Sequence, residues 1–279
     1  MNNKNNDLSI VVNTCDSYAD VLKLFFAAFD EYWPECEYNV YINTEQNQDN
    51  YGRATIINYH AIDGIDRWGD RLLKALSFVD SEFVLMLYDD FILEASIDKE
   101  IIKNIIELMK KDPDASVSYL INTNLPIQAD SAVGSFSLVK DRCDYRLNSA
   151  PAIWRKSDLM RFTGKNDNPW AWEIFGSYRT YDMKNNFYTI APGIKDIYQY
   201  DYCKGGAIYR GRWVRAVVAE KFDRYKLDIE PSIRGYSEDA LDESRSFAWK
   251  IKFMITGFRM VGFKSAIFIV RYLKAKLYA

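Results

Sequence analysis

Phe83-Val84-Leu85-Met86-Leu87-Tyr88-Asp89-Asp90 decides the reading of the fold. Residues 83–87 are an unbroken apolar run flanked by polar residues, as expected of a strand covered on both faces inside a sheet with helices above and below. Upstream, Trp68, Arg71, Leu72, Leu73, Ala75 and Leu76 recur at helical spacing behind Asp66, a residue able to cap a helix. Residues 54–59 and 38–42 read as strands, the latter running into Asn43-Thr44-Glu45 and a polar loop at 46–50. The apolar run 8–13 is the first strand. Thr14-Cys15-Asp16-Ser17 then offers capping side chains to a helix over 18–32, which Pro34 follows. Downstream, 97–111 has Asp98 and Glu100 early, Lys110 and Lys111 late and Asp112-Pro113 as a stop, the polarity of a helix, and 117–121 is a further strand. Strands and helices alternate, which predicts an α/β sheet with crossover helices and a ligand site outside the carboxyl ends of the strands. Beyond Asn122 the pattern loosens, with 145–154 strand-like and 168–178 helical behind Asn168-Pro169. No Pro/Gly/Ser linker divides the chain, so 1–240 reads as one catalytic domain and 241–279 as an appended basic helical segment.

Composition narrows the function. The 279 residues are 48% hydrophobic and 15% aromatic, enough for a large core without disulfide or metal support. A net charge of -3, with no basic stripe through the first two thirds, argues against a nucleic-acid partner. Cys15, Cys36, Cys143 and Cys203 form no C-x-x-C pair, so neither a zinc site nor a redox motif is expected, and the reduced thiols of a cytoplasm fit. Residues 1–7 are polar and lack the apolar core of a secretory signal. No run of about 18 uncharged apolar residues is present, so no transmembrane helix is expected. These features set the chain on the cytosolic side as an expectation.

Adjacent carboxylates at the exit of a buried strand lose hydration and repel each other. A helix cap or solvated turn avoids these costs, and a divalent cation shared with a diphosphate offsets them. The surroundings of Asp89-Asp90 bear on the choice. The order of strand, Asn13-Thr14-Cys15-Asp16, helix, strand ending Asn43-Thr44-Glu45, Trp68-Gly69-Asp70-Arg71-Leu72 and the 83–90 run resembles GT-A fold glycosyltransferases of bacterial surface-polysaccharide gene clusters (capsule, lipopolysaccharide, O-antigen). The likeness spans residues 7–215. It implies a Rossmann-like mixed sheet flanked by helices, a nucleotide-sugar donor, a divalent metal (Mn²⁺ or Mg²⁺) and a glycan or lipid-linked acceptor.

Carried over by position, Thr14 and Asp16 would line the nucleotide base pocket and Glu45 its edge. Asp89 and Asp90 would stand for the Asp-x-Asp-type element that holds ribose and metal-bound diphosphate. In either register one carboxylate of that triplet is replaced, by Tyr88 or by Phe91. Trp68 and Arg71, three apart, would share a helical face approaching the diphosphate, Arg71 pairing with Asp89 or phosphate. A salt bridge beside a core tryptophan is the structural alternative. The histidine ligand that the family often adds late has no counterpart, because the one histidine, His60, precedes the acidic pair.

Glu173 lies in Asn168-Pro169-Trp170-Ala171-Trp172-Glu173-Ile174-Phe175-Gly176. Its apolar neighbours would raise the carboxyl pKa toward that of a general base. The resemblance gives it the task of accepting the acceptor hydroxyl's proton in an inverting transfer, with Trp170 and Trp172 on the acceptor side. An acid favoured early in a helix by the helix dipole is the competing account. Residues 202–213, Tyr-Cys-Lys-Gly-Gly-Ala-Ile-Tyr-Arg-Gly-Arg-Trp, combine close-approach glycines with Lys204, Arg210 and Arg212, which could neutralise a diphosphate. They resemble the loop that covers the donor in GT-A enzymes, and a plain hairpin is the alternative. Residues 246–279 carry seven Lys and Arg and no acid, leaving the remainder at about -10. With interleaved aromatics they predict an amphipathic helical pair in the interface of an anionic bilayer, peripheral to the inner face of the plasma membrane. Packing on the catalytic domain or self-association are the other readings. Two further functions stay open. A sugar nucleotidyltransferase would want a glycine-rich basic loop after the first strand, where 13–17 has neither. A non-catalytic nucleotide- or glycan-binding partner subunit is the other.

Overall fold

Strand β1, Leu8–Asn13, is buried along its whole length. In the computed structural model, which describes residues 7–58, 67–239 and 246–277, it pairs in parallel with β2 (Asn39–Thr44) on one side and β4 (Phe83–Tyr88) on the other. β2 carries β3 (Thr55–Asn58), also parallel. The connections are helices whose apolar faces cover the sheet. In α1 (Ala19–Tyr32) Val21, Leu22, Leu24, Phe25, Phe26 and Phe29 are buried, and in α2 (Trp68–Ser77) Trp68, Leu72 and Leu76. After α3 (Lys99–Lys111) come β5 (Ala115–Tyr119), β6 (Phe136–Leu138), β7 (Ala152–Arg155), α4 (Lys156–Phe162), α5 (Pro169–Ile174) and β8 (Asn186–Ile190). The sheet order is β3-β2-β1-β4-β7-β5-β8-β6, with β7 and β6 antiparallel to their neighbours. It is the predicted mixed α/β sheet, mostly parallel and flanked by helices. A short hairpin, β9 (Ile208–Tyr209) and β10 (Arg212–Trp213), leads to α6 (Arg215–Tyr225) and α7 (Pro231–Arg234).

The chain builds outward from β1 in both directions, through β2 to β3 and through β4 to the rest. A crevice therefore opens at the carboxyl ends of β1 and β4, where ligands of such sheets bind. β2 runs on through Asn43 and Thr44, two residues past the end expected at Ile42. The reason is a lateral chain of amides: Asn43 Nδ2 donates to Asn13 Oδ1 (2.8 Å), and Asn13 Nδ2 to the Leu87 carbonyl (3.1 Å), so three strand ends are tied together. β5 begins earlier than expected, and Leu120 and Ile121 lie past its end. The strand expected over 145–154 is confined to β7. The preceding loop is held by distant partners, since the Leu147 N–H donates to Ser177 and the Asn148 N–H to Tyr119. The helix expected over 168–178 ends at Ile174 and continues as a 3-10 turn, Gly176–Arg179, while its start is capped as predicted by Asn168, which accepts from the Ala171 N–H. Asp66, His60 and the domain boundary near 240 fall outside the described residues.

The C-terminal segment forms α8 (Phe247–Val261) and α9 (Ala266–Leu277). Over 18 residues its mean hydropathy reaches 1.6, so by composition the segment Phe247–Arg271 does resemble a membrane span, against the sequence-based expectation. Its geometry is different. Gly262, at φ +59°, ends α8. The Phe253 and Phe268 rings then lie 6.3 Å apart. A straight helix would separate residues fifteen apart by about 22 Å. The two helices thus form a hairpin packed on a small core of Ala171, Phe175, Tyr178 and Tyr181. Gly257 permits the approach, because a Cβ there would lie 2.4 Å from the Phe175 ring. The opposite face leaves Phe247, Ile251, Ile255 and Phe258 exposed along α8.

Candidate active site

Register brings the first acidic residue to the first loop. Asn13 pairs with Tyr88, so Thr14 and Asp89 meet one step beyond the sheet. The Thr14 hydroxyl donates to Asp89 Oδ2, and the Asp89 N–H to the Asn13 carbonyl at 3.2 Å. Asp89 is buried. Burial and then the neighbouring Asp90 push its carboxyl well above the usual range, against the Thr14 hydroxyl and the more distant Arg234. Burial likewise pushes half-buried Asp90 up to about 7. Both face a cavity of about 1070 Å³ whose other walls include Tyr18, Trp170, Glu173 and Lys204. The pair accordingly sits in a concave site whose surroundings do not neutralise its ionised form, so without a cation it retains protons.

The glycine-rich stretch closes over this pair. Gly206, at φ +149°, presses so close that a Cβ would meet the Asp90 carbonyl oxygen at 2.7 Å and its Oδ2 at 2.9 Å, and the Ala207 N–H donates to that carbonyl at 2.9 Å. Arg210 and Gly211, both at positive φ, are the two-residue turn of the β9–β10 hairpin. The hairpin and the covering loop are therefore one segment. Lys204 and Arg210 line the cavity, Lys204 also pairing with Glu238 at 3.4 Å. Arg212 does not line it, and its guanidinium lies beside Gly235.

The expected base pocket is built differently. Asp16 accepts from the Thr44 hydroxyl (3.0 Å) and from the N–H groups of Gln46 (3.0 Å) and Asn47 (2.9 Å). Burial opposes its ionisation, but these donors outweigh it and hold the carboxyl below its ordinary value. The side chain thus organises the loop after β2 and is not among the cavity walls. Glu45 accepts from the Asp16 N–H (3.0 Å) and pairs with buried Arg71 (3.1 Å). Arg71 therefore engages Glu45 rather than Asp89. Trp68 is buried against Trp172, ring centroids 5.7 Å apart, so the structural alternative holds for both members of that helical face.

On the opposite wall Trp170 is 55% exposed and borders the cavity. Trp172 is 0% exposed, and its Nε1 donates to the Phe162 carbonyl at 3.2 Å, so it is core and no acceptor platform. Glu173 lies in the last turn of the six-residue α5, which removes the helix-dipole explanation for an acid there. Burial raises its pKa, opposed by the Ser149 N–H, which donates to Oε1 at 2.8 Å. Tyr88 and Tyr200 lie within electrostatic reach of both Asp90 and Glu173, which places the two acidic centres on one cavity. Reading the sequence missed Tyr18, Tyr200, Ser149 and Arg234. Arg234 stacks on Tyr18 (4.6 Å), pairs with Asp20 (2.5 Å) and donates to the Ser17 carbonyl (2.7 Å) and the Gly211 carbonyl (3.1 Å), tying the first loop to the hairpin. Nothing local in the chain signals that role.

Among the described residues no group of three or more His, Cys, Asp or Glu could hold a metal by itself. Two adjacent carboxylates with excess charge do fit a divalent ion that takes its other ligands from diphosphate and water, as Mg²⁺ commonly does.

No protein-family model matches the chain, and no curated protein sequence does. Among solved structures it is similar to S. aureus TarS, at 15% identity and TM-score 0.47, over 82% of this chain and 41% of that one. It is also similar to TarS 1–349, at 13% identity and TM-score 0.49, over 93% and 82%. A cytidylyltransferase from Leptospira borgpetersenii serovar Hardjo-bovis is similar at 12% identity and TM-score 0.43, over 92% and 97%. The chain thus spans 41% of the full TarS structure. At these values the likenesses decide no function.

Proposed function

We propose that the chain transfers a sugar from a nucleotide-diphosphate donor to a glycan or lipid-linked acceptor, in the synthesis of a surface polysaccharide and by inversion. The observation that carries this reading is the placement of the Asp89-Asp90 pair, whose ionised form lacks a positive partner, and the half-buried base Glu173 on one cavity. In this reading the donor diphosphate lies at the acidic pair, beneath the Gly205-Gly206 loop, with Lys204 and Arg210 supplying positive charge. The sugar then points toward Glu173. Ionised Glu173 accepts the proton of an acceptor hydroxyl as that oxygen bonds to the anomeric carbon, and the bond from that carbon to the diphosphate oxygen breaks with its electron pair on the leaving group. Trp170 offers a face for a sugar ring. A divalent cation, Mn²⁺ or Mg²⁺, between Asp89, Asp90 and the diphosphate would stabilise the charge that the leaving group gains. The exposed apolar face of α8, with Lys250, Lys252 and Arg259 on the same helix, supports peripheral attachment to an anionic membrane, which the reading sets at the inner face of the plasma membrane.

The test separates donor from acceptor chemistry. Nucleotide binding is followed by thermal shift with and without Mn²⁺, and donor turnover by nucleotide release. Asp90→Ala is expected to abolish metal-supported binding, whereas Glu173→Gln retains binding and loses transfer. Full turnover in Glu173→Gln discards the base assignment, and failure of every nucleotide to raise the melting temperature discards the reading.

A further inference from the structure

The cavity that Glu173 lines adjoins a second chamber. Between α5 and the C-terminal hairpin lies a groove of about 560 Å³ walled by Ile174, Met254, Phe268 and Ile269. Trp170, Glu173, Trp249 and Phe253 border both spaces, so the reaction cavity and a more strongly apolar groove meet at the candidate base. A nucleotide or sugar gains little from such walls, while a hydrocarbon chain gains from every methylene it buries. Cations flank the junction: Lys252 borders the first cavity and Lys250 the groove, on a helix that carries no acidic residue. Ile269, 46% exposed, leaves the rim open beside the outward faces of the hairpin.

We propose that this groove takes the hydrocarbon chain of an amphipathic acceptor. The acceptor's phosphate lies in the field of Lys250 and Lys252, which stand on either side of Trp249 and Phe253, and its sugar hydroxyl is thereby delivered to Glu173. The assignment rests on the glycosyl-transfer reading and names the acceptor class for it: a phosphate-bearing lipid rather than a free glycan. Walls shared with the reaction cavity and charge matching the phosphate favour this occupant over a second copy of the chain or bulk bilayer lipid.

The full chain is titrated calorimetrically with n-alkyl phosphates from butyl to decyl, kept below their micellar concentrations, without nucleotide or metal. Affinity is expected to rise about fourfold per methylene until the groove is filled. A decyl phosphate brominated at its chain end should quench tryptophan fluorescence, and Trp170→Phe with Trp249→Phe, the two tryptophans that border the groove, should remove most of that quenching. Ile174→Trp, which fills the groove, and Ile269→Glu, which charges its rim, should each flatten the chain-length dependence, their folding being checked by melting temperature. Lys250→Gln with Lys252→Gln should weaken all chain lengths by the same factor. Affinity independent of chain length overturns the proposal. So does binding seen only with anionic vesicles, or a dimer in sedimentation equilibrium that decyl phosphate leaves intact. If alkyl phosphates bind as expected but no nucleotide does, the groove stands as a lipid-phosphate site and the transferase reading falls. If nucleotides bind and chain length has no effect, the groove assignment alone falls.

Discussion

Gly257→Ala sets two opposing effects against each other at one buried position. Alanine is favoured over glycine inside a helix by about 1 kcal/mol, so backbone propensity predicts a more stable α8. Packing predicts the reverse. The new Cβ would stand 2.4 Å from Phe175 Cζ, 2.5 Å from Cε1 and 2.6 Å from Cε2. Carbon atoms in contact settle at about 3.5–4.0 Å, so ring or helix has to move by roughly an ångström. Phe175 is fully buried, with the rings of Tyr178, Phe253 and Phe268 about it, and cannot give. α8 is the part that shifts. Overpacking of this kind costs about 1–3 kcal/mol, and contact with three ring atoms at once argues for the upper end. After the propensity gain the net loss is about 2 kcal/mol in the docking of the hairpin. Because such an element opens as a unit, amide hydrogen exchange over 247–261 is the suitable assay, and exchange about 30-fold faster is expected. Slower exchange, or a higher melting temperature, would show that Phe175 yields and that the flush contact does not hold the hairpin.

The raised carboxyls predict a pH dependence in the ligand-free protein. Asp90 titrates at about 7 in the fold against 3.8 as an isolated side chain, so between those values the folded state binds the extra proton and stability falls as pH rises. Melting temperature should drop across that window, the slope should vanish in the Asp89→Asn/Asp90→Asn double variant, and Mn²⁺ should flatten it; an unchanged slope in the double variant would count against the charge argument. Gly206→Ala should lower nucleotide affinity about tenfold in titration, roughly 1.4 kcal/mol, by lifting the loop off Asp90, and should also lower the melting temperature, because the loop gives up the Ala207–Asp90 hydrogen bond. Trp172→Ala should cost about 3–5 kcal/mol in denaturant unfolding, whereas Trp170→Ala, at an exposed wall, should stay within about 0.5 kcal/mol of the parent and impair acceptor kinetics.

The residues that show what could be read in advance are those whose local pattern and tertiary setting agree. β1 was legible to its last residue because every position from Leu8 to Asn13 is buried, and the acidic pair was legible because a buried strand ends at it. Trp68 and Arg71 do share a helical face, yet which acid meets Arg71 depends on where β2 ends, and Glu45 wins. Trp170 and Trp172 flank one residue on a six-residue helix, too short for periodicity to tell the exposed ring from the buried one. The loop before β7 takes its shape from Tyr119 and Ser177, and Arg234 acts on the first loop from the far end of the chain. Pairings of that kind leave no periodic trace.

The turn at Gly262 limits how the C-terminal segment can meet lipid. α8 alone rises about 22 Å, short of the roughly 30 Å of a hydrocarbon core, and Gly262 turns the chain before α9 begins. A membrane would therefore receive the flank of a wedge within one leaflet. Residence would then be an equilibrium tuned by salt and by the density of anionic headgroups, leaving the amount of protein at the bilayer under the control of bilayer composition.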